Sequence, residues 1–145
     1  HLRVTLLDSL NKRILFLDTV IRELGLTGVE TVHGRAEDFA RPGKLREACD
    51  LCVSRAVANH SSQCEYCLPF VRRQGLFVAY KSGNVSREIA EAEEAVRLLG
   101  GKWKEQIGFM LPDSDIGRSL RVVEKERETP VKYPRKAGLP GREPL

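Results

Sequence analysis

A run of apolar and β-branched residues, Val4-Thr5-Leu6-Leu7, ends in Asp8 and passes at once into a helical period. Leu10, Ile14, Leu17, Ile21 and Leu24 lie four, three, four and three apart, which lines one helix face. Gly25 is placed to stop that helix. The same strand-to-helix succession continues along the chain, with no internal repeat. Val29–His33 reads as a second strand with Gly34–Asp38 as its turn, and Lys44–Ala48 as a short helix after Pro42-Gly43. Asp50–Ser54 is a third strand, and Asn59–Val71 a helix with Pro69 near its end. Gly75–Lys81 is a fourth strand. Val85, Ile89, Ala92, Val96 and Leu99 repeat the four-three period until Gly100-Gly101 ends it. Lys104–Leu111 and Ser119–Lys125, joined by the polar loop Pro112–Arg118, read as a hairpin. This alternation predicts an α/β fold: a mostly parallel sheet, helices on its faces, and a terminal antiparallel hairpin.

A length of 145 residues suits one domain with one core. The chain opens on His1, almost directly in a strand, and the expectation is that further sequence precedes it. No apolar run approaches the roughly 20 residues that span a bilayer, and no signal peptide is visible. The expected setting is cytoplasmic, without a membrane partner. The net charge of +4 is unevenly placed. From Arg127 to Leu145, five basic residues (Arg127, Lys132, Arg135, Lys136 and Arg142) face two acids (Glu128 and Glu143). This divides the chain into a domain over 1–126 and a basic tail over 127–145, whose prolines suggest irregular chain without its own core. Such a tail suits a polyanion such as nucleic acid, although a solvated charged segment would look the same.

Cys49, Cys52, Cys64 and Cys67 form C-x2-C-x11-C-x2-C, which resembles a zinc pattern. Cys49 and Cys52 open an apolar strand, however, where residues three apart point to opposite faces. Cys64 and Cys67 share a helix face, but no glycine knuckle surrounds either pair. Small buried thiols account for all four, and no metal is expected. Disulfides are not expected either, since the pattern is that of an intracellular chain.

The strand ends carry the candidate chemistry. Asp8-Ser9-Leu10, Arg35-Ala36-Glu37-Asp38 and Ser54-Arg55-Ala56 follow successive strands, and Lys81 closes a fourth. Ligands of open α/β sheets bind at the carboxyl ends of strands, where an acid accepts hydrogen bonds from a ribose diol. Asp8 suits that role, with Ser9 as the helix cap and Glu37 nearer a base. The competing account of each acid is helix capping, and of Arg55 a structural ion pair. His33 and His60 have no metal-ligand spacing and no Ser or Cys partner, so both read as structural. Two rivals stay open on the residues alone: another Rossmann-like nucleotide-cofactor enzyme, and a non-enzymatic RNA-binding or zinc module.

Several stretches together resemble one family. VTLLDSLNKRI at Val4–Ile14, HGRAEDF at His33–Phe39, SRAVA at Ser54–Ala58, EYCLPFV at Glu65–Val71, QGLF at Gln74–Phe77 and the ending Thr129–Leu145 match, in order, the bacterial 16S ribosomal RNA guanine-N7 methyltransferases, also called glucose-inhibited division protein B. The resemblance implies a Rossmann-like class I methyltransferase sheet and S-adenosyl-L-methionine as cofactor. It implies a guanosine in the 530 loop of 16S ribosomal RNA as substrate. By motif position it puts cofactor contacts on Asp8, Ser9, Leu10, Ala36, Glu37 and Arg55, with Lys81 near the site. The tail's Lys132, Arg135, Lys136 and Arg142 are the RNA contacts expected from charge. Two departures stand out. Tyr80 precedes Lys81 where the family more often has a small or aliphatic residue. The family's first strand and glycine-rich loop would precede His1, so the resemblance implies a gapped sheet, direct pairing of the strands ending at Asp8 and Ser54, or a partner between them. This chain is therefore expected to bind the cofactor weakly or not at all unless that upstream segment is supplied.

Overall fold

The computed structural model describes residues 2–55, 59–82 and 86–145, with backbone only for 86–91. Ala56, Val57, Ala58 and Val85, and the side chain of Ile89, lie outside the described residues. The chain runs β1 (Val4–Asp8), α1 (Asn11–Glu23), β2 (Val29–His33), α2 (Ala36–Phe39), β3 (Cys49–Arg55) and α3 (His60–Cys67). A 3-10 turn over Leu68–Phe70 then leads into β4 (Val71–Ser82), α4 (Ser86–Leu98), β5 (Gly101–Met110), β6 (Gly117–Lys125) and the short α5 (Leu139–Arg142).

The expected α/β succession is present, and its strands divide between two sheets. β1 pairs with β2 in parallel, while the other sheet has the order β3-β4-β6-β5. β3 and β4 are parallel, and β6 is antiparallel to both β4 and β5. Of the described pairings two are parallel and two antiparallel. Among the described residues no ladder joins β1 to β3, so direct pairing of those two strands is not adopted.

Three local expectations are corrected by backbone geometry. Lys44–Ala48 is a turn rather than a helix, because Gly43 and Glu47 take positive φ angles of 80° and 50°. Glu47 instead donates its N–H to Pro69 O at 2.8 Å. The turn expected at Gly34–Asp38 holds the one-turn helix α2. The helix expected to reach Val71 ends at Cys67, where Pro69 lacks the N–H an α-helix would continue with.

The core lies between the larger sheet and the α3–α4 side. Phe77, Ala79 and Val123 from the strands meet Cys64, Leu68, Val96 and Leu99 from the helices and the 3-10 turn, all essentially inaccessible. Each large apolar side chain so buried contributes about 1.5–3 kcal/mol. Gly100 makes the α4–β5 corner possible. It sits at φ +86°, and a Cβ there would lie 2.4 Å from Arg127 O. Its carbonyl accepts the N–H groups of Glu126 and Arg127. The opposite sheet face departs from the expected two-sided cover. Register places Leu51 and Val53 beside Leu76 and Val78, Tyr80 beside Leu120, and Leu120 beside Ile107. Leu51, Val53, Tyr80, Ile107 and Phe109 on that face remain 40–56% exposed.

The tail does have a packed place. Thr129, Tyr133, Pro134 and Pro140 are buried. Arg46 gathers the tail by donating to the carbonyls of Tyr133 (2.8 Å), Thr129 (2.5 Å) and Pro130 (3.4 Å). Residues 129–143, irregular apart from α5, therefore form a strap packed on the body.

Candidate cofactor and nucleic-acid site

Pairing of β1 with β2 sets Asp8 opposite His33. The chain leaving each strand therefore carries its candidate residues to one edge: Ser9 and Leu10 after β1, Ala36 and Glu37 after β2. Asp8 Oδ1 accepts the Leu10 N–H at 2.8 Å, and Oδ2 lies 3.2 Å from Arg13 Nη1. Partial burial raises the carboxyl's pKa, but the Leu10 N–H, the Arg13 guanidinium and the Ser9 backbone outweigh it and hold the group below its ordinary value. Asp8 is thus an ionised acceptor at a strand's carboxyl end, which suits a ribose diol. Ser9 is exposed and does not cap α1. The N-cap position belongs to Leu10, which has no capping side chain, and the Asp8 carboxylate secures that residue's N–H. His33 Nε2 lies 3.2 Å from Ser9 O and steadies the same turn.

Ala36 is half-buried at the start of α2. Glu37 is 4% exposed and neither caps nor faces open solvent. Its Oε1 accepts the Gly138 N–H of the strap at 2.7 Å. Arg55 is exposed at the end of β3, in the other sheet, so no strand ladder ties it to Asp8. Lys81 lies opposite Ser119, near enough to α3 for its charge to help lower the pKa of His60 and to oppose the burial that raises that of Cys64.

The basic residues of the tail separate into two groups. Lys132, Lys136 and Arg142 are exposed, Lys132 stacking its ammonium 5.1 Å from the Tyr133 ring. Arg135 turns inward and binds the buried Glu65 with Nε and Nη2. Its fork is engaged with Glu65 rather than open to a phosphate, which makes it a structural pin. A carboxylate buried on α3 outcompetes solvent for a forked guanidinium.

The chain's buried polar groups are not apparent from spacing. Lys125 is inaccessible, and its ammonium donates to Leu68 O, Val71 O and Thr129 Oγ1 at 2.7, 3.1 and 2.7 Å. Burial pulls its pKa down to about 8 against the opposing pull of Glu47, whose Oε1 is 3.2 Å away. His60, read as structural, is 1% exposed and stacks on Trp103 with centroids 5.1 Å apart. Burial and the Lys81 charge lower its pKa to about 4. The Cys64 thiol is pushed up to about 12 by burial. Cys52 is raised well above its ordinary value by its hydrogen bond to Cys67 and by burial. Among the described residues no three His, Cys, Asp or Glu side chains gather as a metal site.

Comparison with known proteins narrows what this edge can do. The family model described as rRNA small subunit methyltransferase G matches residues 1–113. The ribosomal RNA small subunit methyltransferase G of Lachnoclostridium phytofermentans is 51% identical over 144 residues, covering 99% of this chain and 60% of that protein. The protein of the same name from Clostridium tetani is 52% identical over 142 residues, 98% of this chain and 59% of its own length. The chain thus spans about 60% of the length of the curated relatives it matches. Among solved structures, a methyltransferase-like protein of Bacillus halodurans superposes with a TM-score of 0.62 at 12% identity, over 85% of this chain and 83% of its own. An rRNA methylase from Streptococcus thermophilus gives 0.57 at 12%, over 86% and 74%. The [4+2]-cyclase SpnF reaches 0.63 at 10%, over 86% and 67%. A cyclase on the same frame shows that fold alone leaves the reaction open.

Proposed function

Since the chain belongs to the rRNA small subunit methyltransferase G family, we propose that it is the part of such an enzyme that takes S-adenosyl-L-methionine at the ends of β1 and β2 and methylates guanine N7 in the 530 loop of 16S ribosomal RNA. The observation that carries this reading is the ionised Asp8 carboxylate at the end of β1, beside the turn that delivers Ala36 and Glu37. Asp8 would accept the ribose hydroxyls, and Ser9, Leu10 and Ala36 would line the nucleoside. Glu37 would lie near the base with the oxygen that Gly138 leaves unused. S-adenosyl-L-methionine supplies an electrophilic methyl group when bound. The chain's own residues then need only to position guanine and keep water out.

Guanine N7 carries a lone pair and no proton, so forming the nucleophile requires no general base. Alignment of that kind can lower a barrier by roughly 7–11 kcal/mol. No residue is assigned a proton-transfer role. Arg55 is suited to orienting cofactor or base from the end of β3. Lys132, Lys136 and Arg142 are suited to RNA phosphates, in the cytoplasm where ribosomal RNA is made and modified.

The test is transfer of labelled methyl from S-adenosyl-L-methionine at saturating concentration to 16S ribosomal RNA. Recovery of the label as 7-methylguanosine in the 530 loop, and its loss in Asp8→Ala, is the expected result. Label at another base, or label unaffected by Asp8→Ala, overturns the assignment.

A further inference from the structure

Resting on the reading of RNA as substrate, we infer that the RNA surface has a second side, supplied by Arg35, Arg41 and Lys44 around α2. The hydrogen bonds of the strap bring the two sides together. Arg46 Nη1 donates to Ala40 O at 3.1 Å and to Tyr133 O at 2.8 Å, so one guanidinium ties the end of α2 to the strap. The Gly138 N–H reaches Glu37 Oε1 at 2.7 Å and ties the strap's other half to the middle of α2. Tyr66, close to Gly141, feels the charges of both Glu37 and Arg35.

The charges around the strap sort by burial. Glu37 is buried and Arg46, Glu47 and Arg135 are half-buried, each hydrogen-bonded across the strap junction. The exposed cations are Arg35, Arg41 and Lys44 around α2 and Lys132, Lys136 and Arg142 on the strap, with the exposed acids Asp38, Glu128 and Glu143 at their edges. Lys44 covers the Phe39 ring at 4.6 Å with one side of its ammonium and is otherwise exposed. Asp38 is the one exposed acid between Arg35 and Lys44, and no acid lies between Thr129 and Arg142. Two basic margins facing solvent across α2 form a track for a phosphate backbone. The track runs beside Ala36 and Glu37, so RNA held there would lie next to the proposed nucleoside pocket.

The experiment measures binding of an RNA hairpin with a guanosine-bearing single-stranded loop, by fluorescence anisotropy across a series of potassium chloride concentrations. Arg41→Gln with Lys44→Gln should weaken binding and reduce the salt slope by roughly 0.7 for each single-strand phosphate that the pair neutralises. Lys132→Gln with Lys136→Gln should do the same. Lys102→Gln with Lys104→Gln, on β5 and paired with Glu126 and Glu124, should leave the slope unchanged. All these side chains are exposed, and circular dichroism verifies that each variant is folded. An unchanged slope in the Arg41/Lys44 pair, an equal loss in the β5 pair, or no RNA binding by the unsubstituted chain overturns the proposal. Methyl transfer at saturating S-adenosyl-L-methionine is read separately, so failure of the surface is distinguishable from failure of the methyl-transfer reading.

Discussion

Arg135 and Glu65 form the deepest ionic contact between the strap and the body. The Glu65 carboxylate is inaccessible and takes Arg135 Nε at 3.0 Å on each oxygen, Nη2 at 2.7 Å on Oε2, and the Arg135 N–H at 2.8 Å on Oε1. The same Nη2 donates to Glu143 O at 2.6 Å, closing the strap on itself. Removing one partner of such a pair leaves a buried charge without compensation. Arg135→Ala should therefore cost about 3–5 kcal/mol of unfolding free energy, read from urea titration. Arg135→Lys should recover little of it, since an ammonium cannot reproduce the fork. An unchanged urea midpoint in Arg135→Ala would refute the pin.

His60 makes stability fall on the acid side. Its folded pKa of about 4 lies below the ordinary 6.5, because burial and the Lys81 and Arg121 charges facing it oppose protonation more than Gln63 favours it. The unfolded chain binds the proton more readily, so the contribution is complete above pH 6.5 and is lost as pH falls through 4. The gap corresponds to roughly 3 kcal/mol. His60→Phe keeps a ring against Trp103 but cannot titrate. Its stability should vary less between pH 6.5 and 4 than that of the parent chain, as followed by thermal unfolding. Parallel curves would assign the acid sensitivity elsewhere.

Strand and helix succession is readable in the sequence because Val4–Asp8, Val29–His33 and the period from Leu10 to Leu24 each express a single apolar pattern, even though Leu10 and Leu24 remain 52% and 67% exposed. Gly25 at φ +59° ends that helix where its position in the sequence implies. Lys44–Ala48 misleads because its turn depends on a positive φ at Glu47, a residue with no propensity for it, sustained by the distant Pro69 carbonyl. Asp8 is legible as a strand-end acid. The inward turn of Arg135 is not, because its cause, Glu65, lies 70 residues away and reads as one more helical charge. The same holds for Lys125, whose partners Leu68, Val71 and Thr129 meet only when the sheet forms. Charge counting treats all cations of the tail alike, and burial is what separates them.

Lys125 shapes the alkaline side. Burial holds its folded pKa near 8, against an ordinary 10.5, so the unfolded chain binds more protons between these values. The titration-linked part of this group's contribution to stability should rise with pH from 8 to 10.5 and be absent below 8. Lys125→Met should abolish the rise. It should also destabilise the chain at pH 7 by about 1–3 kcal/mol, because Leu68 O, Val71 O and Thr129 lose their common donor. Chemical denaturation at pH 7, 8.5 and 10 measures both effects. A variant as stable as the parent at pH 7 would mean that the ammonium's desolvation cost cancels its hydrogen bonds.

The two-sheet arrangement bears directly on cofactor affinity. Asp8 and Glu37 belong to the β1–β2 side and Arg55 to β3, with no ladder between β1 and β3 among the described residues. A nucleoside cofactor touching both sides must fix one against the other, and that ordering is subtracted from the contact energy. Binding of S-adenosyl-L-methionine by this chain should therefore be weaker than micromolar in isothermal calorimetry. Asp8→Asn keeps an acceptor for the Leu10 N–H but removes the charge that draws hydroxyl donors, so it should weaken the remaining binding further. Arg55→Ala should matter less, because a cation in the other sheet contributes only once the two are aligned. Micromolar affinity in the parent chain would show that the sheets are already held in register by contacts other than a strand ladder. A larger loss from Arg55→Ala than from Asp8→Asn would move the centre of the site from β1 to β3.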